Sequence, residues 1–130
     1  MLHRRSSRRL LGGVSEVQLL LASPECTNHT CARGTLDWDE VSRETALYVL
    51  NYVRAFKPRW LVIENVVQMR NWSKYDALLE ALREDYKVAP QVLDAADFGV
   101  PQTRRRLFLL CDRKREPPDL SRLGCPFNRS

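Results

Sequence analysis

Residues 17–28 read VQLLLASPECTN, so an apolar run passes directly into a polar turn. The nearly unbroken apolar stretch from Glu16 to Ala22 is typical of a central parallel strand that is covered on both faces. The turn that follows carries Cys26. A buried strand that ends in such a turn can deliver a nucleophile to the rim of a sheet, so Cys26 is the one cysteine of the chain whose position suits chemistry.

The next part of the chain alternates between helical and extended patterns. Apolar side chains recur at helical spacing over residues 41–56, and Lys57-Pro58 is expected to end that helix. Residues 60–63, all apolar, predict a second buried strand. A strand followed by a helix and another strand indicates a parallel α/β sheet with right-handed crossovers.

The second half of the chain predicts one more helix and two more strands. Ser73-x-x-Asp76 resembles a capping box in front of an amphipathic helix. Residues 86–93 and 107–111 read as strands, and Pro90 places the first of them at a sheet edge. Only about a dozen residues join the two, too few for a helical crossover, so this pair should be antiparallel. The predicted fold is an α/β sheet, mostly parallel with a final antiparallel strand, with helices on both faces.

Composition limits the class of protein. At 130 residues with a formal net charge of +5, the chain is long enough for one domain with a real core. Residues 1–13 hold four arginines and no acid, which predicts a basic, disordered arm; the alternatives are contact with phosphate backbones and a transit peptide. No apolar run approaches the length of a membrane span. The four cysteines are too few and too scattered for a disulfide framework.

Two further motifs follow later apolar runs: Glu64-Asn65-Val66 and Gln102-Thr103-Arg104-Arg105-Arg106. Open α/β sheets bind ligands beyond the carboxyl ends of their parallel strands. Cys26 lies just past the first predicted strand, and Glu64 lies at the end of the second. We therefore expect a thiol, a carboxyl group and arginines to meet at one edge of the sheet.

These three segments, in this order and spacing, resemble the DNA (cytosine-5) methyltransferase family over roughly residues 16–113. In that family a Pro-Cys loop supplies the nucleophile, a Glu-Asn-Val segment holds the base, and a Gln-x-Arg-x-Arg segment completes the pocket. The residues that match are Pro24 and Cys26, then Glu64-Asn65-Val66, then Gln102, Arg104 and Arg106, with Asp97 to Pro101 as a similar lead-in. The chain departs from the family in the loop, where Glu25 and Thr27 replace the usual proline and glutamine and Thr30 stands where serine is common.

The resemblance implies a Rossmann-like methyltransferase sheet and a role for each residue. Cys26 would add as a thiolate to carbon 6 of cytosine, since a thiol is partly ionised near neutrality and intrinsically nucleophilic. Glu64 would hydrogen-bond N3 and the amino group of the base and donate a proton to N3. Arg106, with Arg104, would contact the carbonyl oxygen or a flanking phosphate. Pro24, Asn65 and Gln102 would support them, with Asn65 bracing the cysteine loop.

Each assignment has a simpler alternative. Cys26 would otherwise be a small core residue, Glu64 a strand-end carboxylate in a surface salt bridge, and the arginines a solvated basic turn, which is the reading favoured for Arg105. Cys26-x-x-His29-x-Cys31 also offers three zinc ligands, although the spacing is not a standard zinc pattern and no second pair lies close by. We therefore predict no metal site.

The family's methyl donor is S-adenosylmethionine, yet the Gly-rich turn and the acidic residue that usually bind it have no counterpart here. Family members also carry a DNA target-recognition region. We therefore expect a partial catalytic domain at 14–113 between the basic arm and an irregular tail at 114–130, with DNA as substrate. The isolated chain is expected either to be inactive or to need a second polypeptide that supplies the missing regions. A cytoplasmic location in a bacterium or phage host is expected, or a nuclear one in a eukaryote.

Two other functions stay open at this point. The chain would act as a noncatalytic DNA-binding remnant if the basic start and the arginines bind phosphates without chemistry. It would act as a small zinc or redox module if Cys26 and Cys31 work together.

The enzyme hypothesis requires a flipped base, because a cytosine inside a duplex is unreachable. Residues 27–37 are expected to be the segment that closes over the flipped base.

Overall fold

Residues 16–24 and 48–124 are the part of the chain that the structure, a computed structural model, describes. Four strands form one sheet: β1, Leu19–Ala22; β2, Trp60–Asn65; β3, Lys87–Asp94; and β4, Arg105–Asp112. Two helices accompany them, α1 over residues 48–56 and α2 over Tyr75–Arg83. Short 3-10 turns occupy Val67–Asn71, Ala95–Phe98 and Leu120–Leu123.

The sheet has the order β1-β2-β4-β3. β1 and β2 pair in parallel, whereas β4 is antiparallel to both of its neighbours. Three strands therefore run in one direction and the last runs against them, as predicted, and β3 lies at the edge where Pro90 placed it. The insertion of β4 between β2 and β3 was not predicted, because strand order depends on pairing between distant segments.

One face of the sheet carries the hydrophobic core. Leu61 and Ile63 on β2 and Leu107 and Leu109 on β4 are at most 1% exposed. Full burial of each such side chain contributes about 1.5–3 kcal/mol, so these strands dominate the stability of the sheet. Both helices pack on this face and add to the same cluster Val49, Val53, Leu78, Leu79 and Leu82.

The second face is more open. Leu19, Leu21 and Trp60 are 49%, 69% and 39% exposed, and they alternate with the core residues along their strands. The two helices of the described ranges both lie on the core face, so the helices expected over the second face are not among residues 16–24 and 48–124. Glu64 and Arg106 lie on this second face.

The turn between α1 and β2 ends the helix at the predicted place. Lys57 adopts a left-handed φ of 46° while its amide donates to the Val53 carbonyl at 2.8 Å. Pro58 follows, and a proline disfavours helical geometry in the residue before it. Tyr86 Oη donates to the Pro58 carbonyl at 2.5 Å, and Arg113 Nε donates to the same carbonyl at 3.0 Å. These two hydrogen bonds stabilise the end of the sheet opposite to Glu64.

Two local predictions need correction. The predicted capping box at Ser73 is wrong as an N-cap, because α2 is capped by Lys74, whose side chain makes no capping hydrogen bond. The backbone around Ser73 already forms a turn, because the Trp72 carbonyl accepts from the Tyr75 amide at 3.0 Å. Tyr86, predicted as the first residue of a strand, precedes β3 and points its buried hydroxyl at Pro58.

Among the described residues, no helix has the length and apolar character to cross a bilayer.

Cys111 on β4 is a structural thiol, and its titration gives a pH prediction. Burial raises the pKa of the Cys111 thiol from 9.0 to about 12. Between these values the unfolded chain releases a proton that the folded chain keeps, so rising pH destabilises the fold. We predict that Cys111 alone lowers the free energy of unfolding by about 1.4 kcal/mol per pH unit in this window.

Urea unfolding at about pH 8.5 and 10.5 measures the effect, with Cys111→Ala as the control that lacks the thiol but keeps the tyrosines. The wild type should lose more stability than the variant over this interval. Equal losses in the two proteins would contradict the assignment.

Candidate active site

Glu64 sits between side chains of two neighbouring strands. The parallel register pairs Ala22 with Ile63, so the next residue of β1, Ser23, falls beside Glu64 on the same face. The antiparallel register pairs Glu64 with Phe108, which places Arg106 diagonally adjacent. Strand pairing alone therefore brings a hydroxyl, a carboxylate and a guanidinium into one row.

The contacts in this row engage both oxygens of the carboxylate. Ser23 Oγ donates to Glu64 Oε2 at 2.5 Å, and Arg106 Nε lies 3.4 Å from Glu64 Oε1. The guanidinium is itself oriented, because Arg106 Nη1 donates to the Arg105 carbonyl at 2.9 Å. Each carboxylate oxygen can accept two hydrogen bonds, so Glu64 keeps acceptor positions for a further partner.

Asn65 points to the opposite face and ties β2 to the end of β1. It is 8% exposed, its Nδ2 donates to the Pro24 carbonyl at 3.1 Å, and its Oδ1 accepts from the Val66 amide at 2.8 Å. Glu64 and Asn65 thus hold Ser23 and Pro24 from two sides of the strand. Cys26 lies two residues further on, outside the described residues.

Asp94 closes the loop that carries the arginine segment. Its Oδ1 accepts from the Ala96 amide at 3.1 Å and from the Arg104 amide at 2.9 Å. The Ala95 amide also donates to the Arg104 carbonyl at 3.1 Å, so both ends of the loop are joined. Within the loop Gly99 has a φ of 85°, a left-handed conformation that glycine adopts without strain. The loop therefore presents Arg104 and Arg106 from a fixed base.

A cavity of about 470 Å³ opens at this edge on the second face. This volume is within the range of about 300–1,000 Å³ that is usual for small-molecule sites. Charged side chains of Glu64, Asp94, Arg104 and Arg106 lie at its walls. The remaining lining is apolar and comes from Leu93, Ala95, Phe98, Phe108 and Leu120. An apolar cleft with a few convergent charges suits a flat, hydrogen-bonding ligand.

The structure brings together most of the residues that the sequence singled out. Glu64, Arg104 and Arg106 share the cavity, and Asn65 contacts Pro24. Gln102 is exposed and is not among the cavity-lining residues. The nucleophile candidate and the three residues of the alternative zinc site, Cys26, His29 and Cys31, lie outside the described ranges.

Sequence reasoning missed two residues of this site, Ser23 and Asp94. Ser23 stands directly after the first predicted strand and Glu64 at the end of the second, so the predicted parallel arrangement of these strands was a usable signal. Asp94 follows the predicted end of the third strand, and an aspartate there is a common cap of a following turn. Its second partner, the Arg104 amide, depends on the path of the loop and carries no local signal.

Comparison with known proteins identifies the family. A family model for C-5 cytosine-specific DNA methylases matches residues 5–126. The chain belongs to this family. The predicted family is thereby confirmed.

Curated relatives include type II methyltransferases. M.AquIA of Picosynechococcus sp. is 36% identical over 110 residues, which cover 75% of this chain and 44% of that protein. M.NlaIV of Neisseria lactamica is 30% identical over 121 residues, covering 85% of this chain and 28% of that protein. The chain thus spans less than half the length of these relatives.

Solved structures of methyltransferases confirm the predicted Rossmann-like fold. The S. pombe Dnmt2 methyltransferase superposes with a TM-score of 0.68 at 18% identity, over 99% of this chain and 39% of that one. The Entamoeba histolytica methyltransferase EhMeth gives a TM-score of 0.63 at 17% identity, over 92% and 38% of the two chains.

The hydrogen bond from Asn65 to the Pro24 carbonyl can be tested separately from the one that Asn65 accepts from the Val66 amide. Asn65→Asp keeps an acceptor for the Val66 amide but replaces the donor to the Pro24 carbonyl by a nearly buried carboxylate oxygen. We predict a loss of about 1–3 kcal/mol in the free energy of unfolding, measured in urea near pH 7. The matched control, Asn71→Asp at an exposed position, should change stability little. Equal effects of the two substitutions would show that the tie contributes nothing.

Proposed function

We propose that this chain is the catalytic core of an enzyme that transfers a methyl group from S-adenosylmethionine to carbon 5 of cytosine in DNA through a covalent cysteine adduct. The observation that carries the proposal is the Glu64–Arg106 pair in a cavity beside Ser23 and Pro24, the residues that lead into Cys26. A carboxyl group and a guanidinium are the groups needed to hold the edge of a cytosine.

The first chemical step assigned to this chain is addition to the base. The Cys26 thiolate forms a bond to carbon 6, and the electron pair of the C5–C6 double bond moves to carbon 5. Glu64 stabilises the charge that develops on the ring by hydrogen bonding at N3 and the amino group and by donating a proton to N3. Carbon 5 then has the electron density that a methyl donor can take up.

The arginines hold the other side of the base. Arg106, already paired with Glu64, donates to the cytosine carbonyl oxygen, and Arg104 lines the same cavity. A guanidinium keeps its charge at every relevant pH and donates in a fixed fork, which suits a carbonyl or a phosphate. Because the target carbon of a stacked cytosine is out of reach, the base must be flipped into the cavity.

The methyl donor does not fit the described residues. No Gly-rich turn follows a strand among residues 16–24 and 48–124. The steps assigned to this chain therefore end at the covalent adduct. We propose that the donor site and the target-recognition region lie outside the described residues, in the same protein or in a second polypeptide.

The proposal is tested with duplex DNA that contains 5-azacytosine. Nitrogen replaces carbon 5 in this base, so addition of a thiolate to carbon 6 and protonation of the nitrogen give a long-lived adduct without any methyl donor. We predict a covalent complex on denaturing gels that Cys26→Ser abolishes and Cys31→Ser leaves intact. Glu64→Gln should slow adduct formation by about 100-fold or more, as expected for loss of a general acid.

Arg106→Lys should also slow the reaction while leaving the protein folded, since an ion pair this exposed contributes only about 1 kcal/mol or less to stability. An adduct that survives in Cys26→Ser would overturn the assignment of the nucleophile. Salt-sensitive DNA binding with no adduct in the wild type would instead support a noncatalytic DNA-binding protein.

A further inference from the structure

We propose that Ser23 is a positioning residue for Glu64: its hydroxyl holds the carboxylate in the orientation that faces the base. This inference rests on the proposed function, because it concerns how Glu64 is presented to cytosine. It starts from the 2.5 Å hydrogen bond between Ser23 Oγ and Glu64 Oε2, which no role assigned above explains.

The backbone on both sides of Ser23 is held by β2, which limits how far the hydroxyl can move with the carboxylate. On one side Ala22 pairs with Ile63 in the parallel register. On the other side Pro24 has a locked φ, and its carbonyl is held by Asn65 Nδ2 at 3.1 Å. Ser23 is therefore clamped between two points on β2, directly beside the residue whose side chain it contacts.

The second partner of Glu64 cannot orient the carboxylate alone. Arg106 reaches it through one nitrogen at 3.4 Å, a loose contact, and its Nη1 is used by the Arg105 carbonyl. Both side chains are near 30% exposed, at 30% for Glu64 and 28% for Arg106, so water competes for this pair. A carboxylate held only by Arg106 would turn towards the guanidinium and close on it with both oxygens.

The hydroxyl opposes that rotation. It draws Oε2 towards β1, on the side where the chain continues to Cys26, while Oε1 stays near Arg106. Each oxygen keeps one lone pair, which can accept from the amino group of cytosine and from the N3–H bond that forms when the proton is transferred. Ser23 thereby links the carboxylate to the strand that leads into the nucleophile.

The test compares Ser23→Ala, which removes the hydroxyl, with Ser23→Thr, which retains it. The matched control is Ser121→Ala, which removes a similar hydroxyl–carboxylate hydrogen bond, 2.6 Å to Asp119, outside the cavity lining. Single-turnover adduct formation with 5-azacytosine duplex DNA gives the rate at saturation and the half-saturating DNA concentration. Crystal structures of Ser23→Ala and of the wild type give the position of the Glu64 carboxylate.

We expect Ser23→Ala to lower the saturating rate about 10-fold and to leave the half-saturating concentration within about 2-fold, because the lost contact acts in the transition state. Ser23→Thr should restore the rate, and the carboxylate should turn towards Arg106 only in Ser23→Ala. An unmoved carboxylate, a failure of threonine to rescue, or an equal loss in Ser121→Ala overturns the inference. A wild type that forms no adduct refutes the proposed function instead, and the carboxylate position still decides the role of Ser23.

Discussion

The site depends on the register with which β4 pairs with β2. Glu64 faces Phe108 across the two strands, and this pairing sets Arg106 one diagonal step from the carboxylate. A slip of one residue would move every side chain of β4 to the other face, so Arg106 would point into the core and Leu107 into the cavity. Burial of Leu107 and Leu109, at 1% and 0% exposure, prevents the slip. The hydrophobic core thus fixes the position of the charges.

The alternation of side chains along β2 distributes two tasks between adjacent residues. Glu64 faces the cavity and takes part in the proposed chemistry, while Asn65 faces inward and holds Pro24. Both residues act on the same short segment at the end of β1, from opposite faces. This explains in physical terms why a glutamate followed directly by an asparagine is useful at the end of a strand: one residue meets the ligand and the next fixes the loop.

The sequence predicted the elements and the convergence of Glu64 with Arg104 and Arg106, because hydrophobic runs and turn residues are local signals. The strand order β1-β2-β4-β3 could not be predicted from the sequence, because insertion of β4 depends on pairing between residues more than 40 positions apart. The contact of Asp94 with the Arg104 amide was not predicted either, because it depends on the path of the loop between them. The capping box at Ser73 failed for a related reason, because a preceding turn had already set the start of the helix. The roles proposed for Cys26 and for the zinc alternative stay predictions.

The central claim is that Glu64 and Arg106 hold a flipped cytosine against the Cys26 sulfur. A crystal structure of the chain trapped on duplex DNA with 5-azacytosine tests it most directly. The account predicts a bond between Cys26 Sγ and carbon 6 of the base, with the Glu64 carboxyl group in hydrogen-bond contact with N3 and the Arg106 guanidinium in contact with the carbonyl oxygen. A base bonded to another residue, or one seated out of reach of Glu64 and Arg106, would contradict it.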